Sequence, residues 1–251
     1  MRFSELVKNT HVDKGCVGVF WAGQAGYILK TQDEKLIALD LYLSDYCERL
    51  VGFKRLMPYI LETNELVFDG ILISHAHPDH FDCDSIPAML SKKTHMYCTE
   101  DCIPECEKLE ITKGFTVIKQ GDSFNCCGLK VRVVSCDHGA STPFAVGFVI
   151  ETGAKRLYFM GDTTYREDYF NDEVKRNVDL LMAPINGAYG NLNEVQASKM
   201  AKGLNAKLTV PCHFWNFGEH GGNPDMFVKA MKEFATENKF YLLRIGEGII
   251  I

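Results

Sequence analysis

No part of this 251-residue chain holds the roughly 20 consecutive apolar residues that cross a bilayer. The opening segment, MRFSELVKNT, contains no apolar leader. Ten cysteines are present, but no two form a C-x-x-C pair, which argues against zinc-ribbon and thioredoxin-type motifs. The expectation is a cytoplasmic protein with mostly buried free thiols. Basic residues are scattered, and 27 Lys and Arg against 33 Asp and Glu leave a net charge of −6. A long nucleic acid would find no positive stripe here. No G-x-G-x-x-G or P-loop follows the first strand pattern, so a nucleotide-binding fold is disfavoured. No low-complexity segment, charge block or Pro/Gly/Ser linker divides the sequence, and a single domain over 1–251 is expected.

What is present is a globular composition, 46% apolar and 24% charged. A chain of this length buries a large core without disulfides or a structural metal, so a bound metal would serve function. Strand patterns occur at 17–21, 27–30, 36–41, 70–74, 95–98, 116–119, 129–136, 144–151, 156–160, 180–183, 207–211, 240–245 and 248–251. Several are continuous apolar runs, which suit strands covered on both faces. Helix patterns occur at 83–91, 101–109, 166–176, 194–203 and 225–237. Asn193 and Gln196 form a capping-box signal, and Gly203 stands where a left-handed cap would end that helix. Gly23-Gln24-Ala25-Gly26 reads as a hairpin turn.

The segment that carries chemistry is Gly70-Ile-Leu-Ile-Ser-His75-Ala-His77-Pro-Asp79-His80. An apolar strand runs directly into three histidines and an aspartate. His75 and His77 share one side of an extended chain. Pro78 then forces a turn, which lets Asp79 and His80 converge on a second point nearby. Imidazoles with a carboxylate form an N/O ligand set suited to zinc, manganese or iron. Three later strand patterns also end in ligand types: 129–136 in Asp137-His138, 156–160 in Gly161-Asp162, and 207–211 in Cys212-His213. Four such strand ends argue for one shared rim.

H-x-H-x-D-H, a later His, a G-D-T aspartate and a final His, in this order, resemble the metallo-β-lactamase superfamily. The resemblance implies an α+β fold, a four-layer αββα sandwich with two mixed sheets face to face, helices outside and metals at one edge. His75, His77 and His138 resemble the ligands of a first metal. Asp79, His80 and His213 resemble those of a second, and Asp162 resembles the bridging carboxylate. The stretches V-F-W-A-G-Q-A-G-Y-I-L-K, M-G-D-T-T-Y, L-N-A-K-L-T-V-P-C-H-F and W-N-F are similar to the L-ascorbate-6-phosphate lactonase family. That likeness implies two divalent ions, manganese or zinc. The expected reaction is attack of a metal-activated hydroxide on a small lactone or ester, such as a phosphorylated sugar-acid lactone.

Further catalytic candidates are Asp79, which would also orient the nucleophile or pass its proton, and His220 or Tyr189 as donors to the leaving group. Candidates to orient the imidazoles are Ser74, Asp82, Asp84 and Thr163. Arg166 and Lys14 are phosphate-binding candidates that read more simply as surface charges. His11 and His95 lie outside the ligand pattern. Cys98, Cys102 and Cys106 have helical spacing and read as one half-buried face. The expected partner is a small, anionic substrate, with no nucleic-acid polymer and no membrane; self-association is compatible with the resemblance. Two other functions share the ligand set: a phosphodiesterase or nuclease acting on a small phosphodiester, and a catalytically silent metal-binding protein. A di-iron redox site is disfavoured by the imidazole at His77.

Overall fold

The computed structural model describes residues 1–251. Fourteen strands form two seven-stranded sheets. In chain order they begin with β1 (Val17–Gly23), β2 (Gly26–Thr31), β3 (Leu36–Leu39), β4 (Gly70–Leu72), β5 (His95–Cys98) and β6 (Phe115–Val117). Then come β7 (Ser123–Cys126), β8 (Leu129–Ser135), β9 (Val146–Glu151), β10 (Arg156–Phe159), β11 (Leu180–Pro184), β12 (Leu208–Cys212), β13 (Lys239–Phe240) and β14 (Gly248–Ile250). The first sheet has the order β14-β1-β2-β3-β4-β5-β6, and the second β13-β12-β11-β10-β9-β8-β7. Both are mixed, as expected for the four-layer sandwich.

Period-two alternation divides the first sheet between two cores. Val17, Val19, Trp21, Tyr27, Leu29, Ile37, Leu39 and Leu72 face the second sheet and join its Val131, Phe148, Leu157 and Phe159 in one cluster. Phe20, Ile28, Ala38, Ile71 and Ile73 point the other way. They pack under helices α1 (Phe3–Asn9), α3 (Ile86–Met89) and α4 (Ile103–Lys108), with α2 (Tyr46–Val51) at the rim. Helices α5 (Glu194–Gly203) and α6 (Pro224–Phe234) cover the outside of the second sheet through Ala197, Met200, Phe227 and Met231. Burying side chains of this size contributes roughly 1.5–3 kcal/mol each. No helix is long and apolar enough to cross a membrane.

The elements depart from the sequence patterns where tertiary contacts override local preference. The expected helix 166–176 is only a 3₁₀ turn at Glu167–Asn171. Asp172 there accepts the Val174 N–H at 2.9 Å, a side-chain turn that competes with helix. The capping box at Asn193 and Gln196 is present. Gly203 does not end α5 in the left-handed region; the cap is Leu204, in a right-handed conformation. A Cβ on Gly203 would lie 2.3 Å from the Phe170 ring, so the glycine serves close packing. The 240–245 strand shortens to β13 because the chain leaves the sheet edge, and Gly246 donates to the Trp21 carbonyl of the other sheet at 2.9 Å. Strand β7 and helices α1 and α2 gave no sequence signal: β7 is largely exposed and polar, and the helices have 7 and 6 residues.

Strand direction builds the site. Strands β10, β11 and β12 are parallel, and β8 runs the same way because β9 is antiparallel to both β8 and β10. Strands β3 and β4 are also parallel. The loops that leave the C-terminal ends of these strands therefore gather at one rim.

Candidate metal centre

The first motif is positioned by the β3–β4 register, in which Leu39 pairs with Leu72. That register places Asp40 beside Ser74. The Ser74 N–H donates to Asp40 Oδ1 at 2.8 Å, and its hydroxyl donates to Asp40 Oδ2. The same Asp40 Oδ2 meets His80 Nδ1 at 2.7 Å, fixing that imidazole in the carboxylate–histidine manner of metal sites. Past Pro78, the His80 and Phe81 N–H groups both donate to the His77 carbonyl, at 2.9 and 2.8 Å. This turn brings His80 under His75, with ring centroids 4.1 Å apart.

The other ligand candidates arrive from the second sheet. His138 follows β8, Asp162 follows β10 and His213 follows β12. Gly161 has φ of +66°, and a Cβ there would meet the Val146 carbonyl at 2.8 Å, so only glycine fits before Asp162. His213 adopts φ of +59°, held by its N–H donating to the Gln24 carbonyl at 2.9 Å.

Seven side chains converge in two adjoining groups. In the first, His77 Nδ1 lies 3.0 Å from His75 Nε2 and 3.1 Å from His138 Nε2. In the second, His213 Nε2 lies 3.3 Å from His80 Nε2, 3.1 Å from Asp79 Oδ2 and 3.2 Å from Asp162 Oδ2. Asp162 reaches both groups, being 3.3 Å from His80 Nε2 and 3.8 Å from His138 Nε2.

The electrostatics fit a cation. Burial holds His75 well below its ordinary pKa, with His80 adding to the effect, and burial likewise lowers His77 and His138. These rings are neutral, and two of their nitrogens face a third at hydrogen-bond distance. Lone pairs so arranged repel unless a proton or a metal lies between them. Burial opposes ionisation of Asp79 and Asp162, but His80 and His213 outweigh it and keep both carboxyls well below the usual range. Asp162 Oδ1 is buried and lies 3.3 Å from His80 Nε2. Imidazoles and anionic carboxylates so gathered form a donor set for divalent ions.

A cavity of about 180 Å³ opens above these groups. Its floor includes His77, Asp79, His138, Asp162 and His213, and its walls include Phe53, Phe217, Tyr189, Asn186 and Asn191. His220 stacks on His213 with centroids 4.9 Å apart, and meets the Phe53 and Phe217 rings edge-on. Tyr189 stands at the mouth, 58% exposed, its ring 5.4 Å from His220.

Three site residues escaped the sequence reading. Gln24, at the tip of the β1–β2 hairpin, is wholly buried and donates from Nε2 to Asp79 Oδ2 at 2.8 Å. The same nitrogen lies 3.1 Å from His213 Nε2 and 3.2 Å from His220 Nδ1. Asn191 donates to Asp162 Oδ2 at 2.8 Å. Asp40 was signalled only by an acid breaking the apolar run Leu36–Leu41.

Of the expected orienting residues, Ser74 touches an imidazole, its Oγ 3.0 Å from His75 Nδ1. Asp82 instead organises the 43–44 backbone, accepting at 2.9 and 3.1 Å. Asp84 pairs with Arg49, and Thr163 accepts the Asp137 N–H at 3.2 Å. Arg166 is taken by Asp137 and Asp168, and Lys14 is exposed away from the pocket. His95 meets Thr116 and His11 lies by Asp13, both outside the site. Cys98, Cys102 and Cys106 do not form the single helix face expected: Cys98 ends β5, Cys102 lies in a 3₁₀ turn and Cys106 in α4, all three are buried, and all ten thiols are free.

Comparison with known proteins agrees with this geometry. A family model described as a Beta-lactamase superfamily domain matches residues 49–214, a span that contains all seven side chains. A UPF0173 metal-dependent hydrolase of Pyrobaculum islandicum is 27% identical over 241 residues, covering 92% of this chain and 98% of its own. Among solved structures, Igni18 from Ignicoccus hospitalis, described as a metallo hydrolase, superposes with a TM-score of 0.72 at 19% identity. That alignment covers 94% of this chain and 98% of Igni18. The metallo-β-lactamase fold protein YhfI of Bacillus subtilis gives 0.71 at 18%, covering 94% and 99%. With the model matching well over half of its length, and two mixed sheets carrying the ligand rim between them, this chain belongs to the β-lactamase superfamily and has the metallo-β-lactamase fold.

Proposed function

We propose that this protein is a metal-dependent hydrolase that opens a small lactone or cleaves a small ester. The observation that carries the reading is the pair of adjoining imidazole groups, joined by Asp162, on the floor of a pocket. In this reading His75, His77 and His138 hold one divalent cation, and Asp79, His80 and His213 hold another, with Asp162 shared. The N/O donors suit manganese or zinc. Bound cations supply Lewis-acid polarisation of a carbonyl oxygen and acidify water.

The protein's own groups complete the chemistry. In this reading Asp79, which accepts from Gln24 Nε2 at 2.8 Å, orients the attacking water at the floor. Gln24 Nε2 donates one hydrogen to Asp79, and its other faces His213 Nε2 at 3.1 Å and His220 Nδ1 at 3.2 Å. In this reading the His220 ring and the Tyr189 hydroxyl are the donors to a leaving oxygen at the mouth. The name of the Pyrobaculum relative supports the hydrolase assignment. The phosphodiesterase reading uses the same groups, but nothing in the pocket favours it.

Metal analysis with a hydrolysis screen tests the proposal. Purified protein supplied with manganese or zinc is offered a neutral lactone, its phosphate ester and a phosphodiester. About two metals per chain with ester or lactone turnover is expected. Cleavage of the phosphodiester alone would replace the substrate class. Metal binding without turnover of any ester would leave a silent metal-binding protein, and no metal at all would overturn the site.

A further inference from the structure

We infer that the pocket takes a small uncharged substrate with an aromatic or apolar group packed against Phe53 and Phe217. This deepens the hydrolase reading and rests on it. The first observation is charge. No Lys or Arg is among the residues that line the cavity. Arg55, behind the wall, is committed elsewhere: it donates to the Tyr42 and Ser44 carbonyls at 2.8 and 3.1 Å and stacks on Tyr42. Arg166 opens on a different cleft beyond His138 and is neutralised by Asp137 and Asp168, at 2.6 and 2.8 Å. The cations held on the floor would meet the scissile group. A phosphate or carboxylate elsewhere on the substrate would find aromatic carbon and neutral donors but no cationic side chain in the lining, which leaves its desolvation poorly compensated.

The second observation is shape. The Phe53 ring lies 6.0 Å from that of Phe217 and 5.8 Å from Tyr189, a wall suited to a flat apolar group.

The test compares a hydroxylated phenyl-substituted lactone with its phosphate ester, using metal-loaded protein. The neutral compound should have the higher kcat/KM by at least about 100-fold. Phe53→Leu, which keeps bulk but loses the ring, should raise KM for it about tenfold with kcat within about threefold. Val51→Lys, at the cavity edge on α2, should move the preference towards the phosphate ester by at least about tenfold. Equal or better use of the phosphate ester by the wild type, or an unchanged KM in Phe53→Leu, would overturn the inference while leaving the hydrolase reading in place. If neither lactone turns over, the lactone-opening part of the proposed function fails. Calorimetric binding of the matching hydroxylated phenyl lactam and its phosphate then decides the inference, and tighter binding of the phosphate overturns it.

Discussion

At the scale of single residues, Gln24 joins the two halves of the centre's outer side. Its backbone carbonyl accepts from His213 N and from Trp21 Nε1, at 2.9 and 3.0 Å, while its amide nitrogen faces Asp79, His213 and His220. Groups that orient metal ligands are worth about 10–100-fold in metal affinity or activity. Gln24→Met, similar in size but with no donor, is therefore expected to weaken metal binding or turnover by that factor, with an unchanged far-UV circular dichroism spectrum. A metal titration matching wild type, together with wild-type turnover, would reject the role. The histidine motif was legible in the sequence because its four ligands sit within six residues. Gln24 and Asp79 are 55 residues apart and Asp40 and His80 are 40 apart, so no local pattern could pair them.

At the scale of elements, α5 separates helix propensity from packing. Replacing an interior glycine by alanine stabilises an exposed helix by about 1 kcal/mol. Gly203→Ala should instead destabilise the protein by about 1–3 kcal/mol, because its Cβ would sit 2.3 Å from the Phe170 ring. Urea unfolding measures the sign, and a stabilised variant would show that Phe170 moves aside freely. The segment after Phe170 offers a pH test. Lys175 is fully buried, donates to Ser135 Oγ at 2.6 Å and lies 3.1 Å above the Tyr169 ring. Burial pushes its pKa down to about 8, although Asp172 pulls the other way. Between that value and the ordinary 10.5 the unfolded chain binds more protons than the folded one. The penalty is complete below about pH 8 and relieved as pH rises to 10.5. Wild type should therefore gain stability relative to Lys175→Met across that window. Parallel curves for the two proteins from pH 7 to 10 would refute it.

At the scale of the whole molecule, the ligand rim exists only when the two sheets are packed together. His75, His77, Asp79 and His80 come from the first sheet, and His138, Asp162 and His213 from the second. A metal then binds the folded state and not the unfolded chain. At a free concentration of 100 times Kd it adds about 2.7 kcal/mol. For a chain of this size that corresponds to a Tm shift of about 5–10 °C. Chelation should lower the Tm by that amount in wild type and leave Asp162→Ala unaffected. An unchanged wild-type Tm, with metal removal verified by analysis, would show that the centre is not coupled to sheet packing.

The sequence by itself determined the strand-rich architecture, the first ligand motif and the later strand ends that carry His138, Asp162 and His213. It did so because period-two apolar runs and closely spaced ligands are local features, readable without knowing what packs where. Tertiary structure alone decided the short elements, the role of Gly203, and the parts played by Gln24, Asp40 and Asn191. It also decided the character of the pocket, whose aromatic wall and lack of Lys or Arg come from segments far apart in the chain. Contacts of that kind depend on strand direction and register across two sheets, which no window of sequence contains.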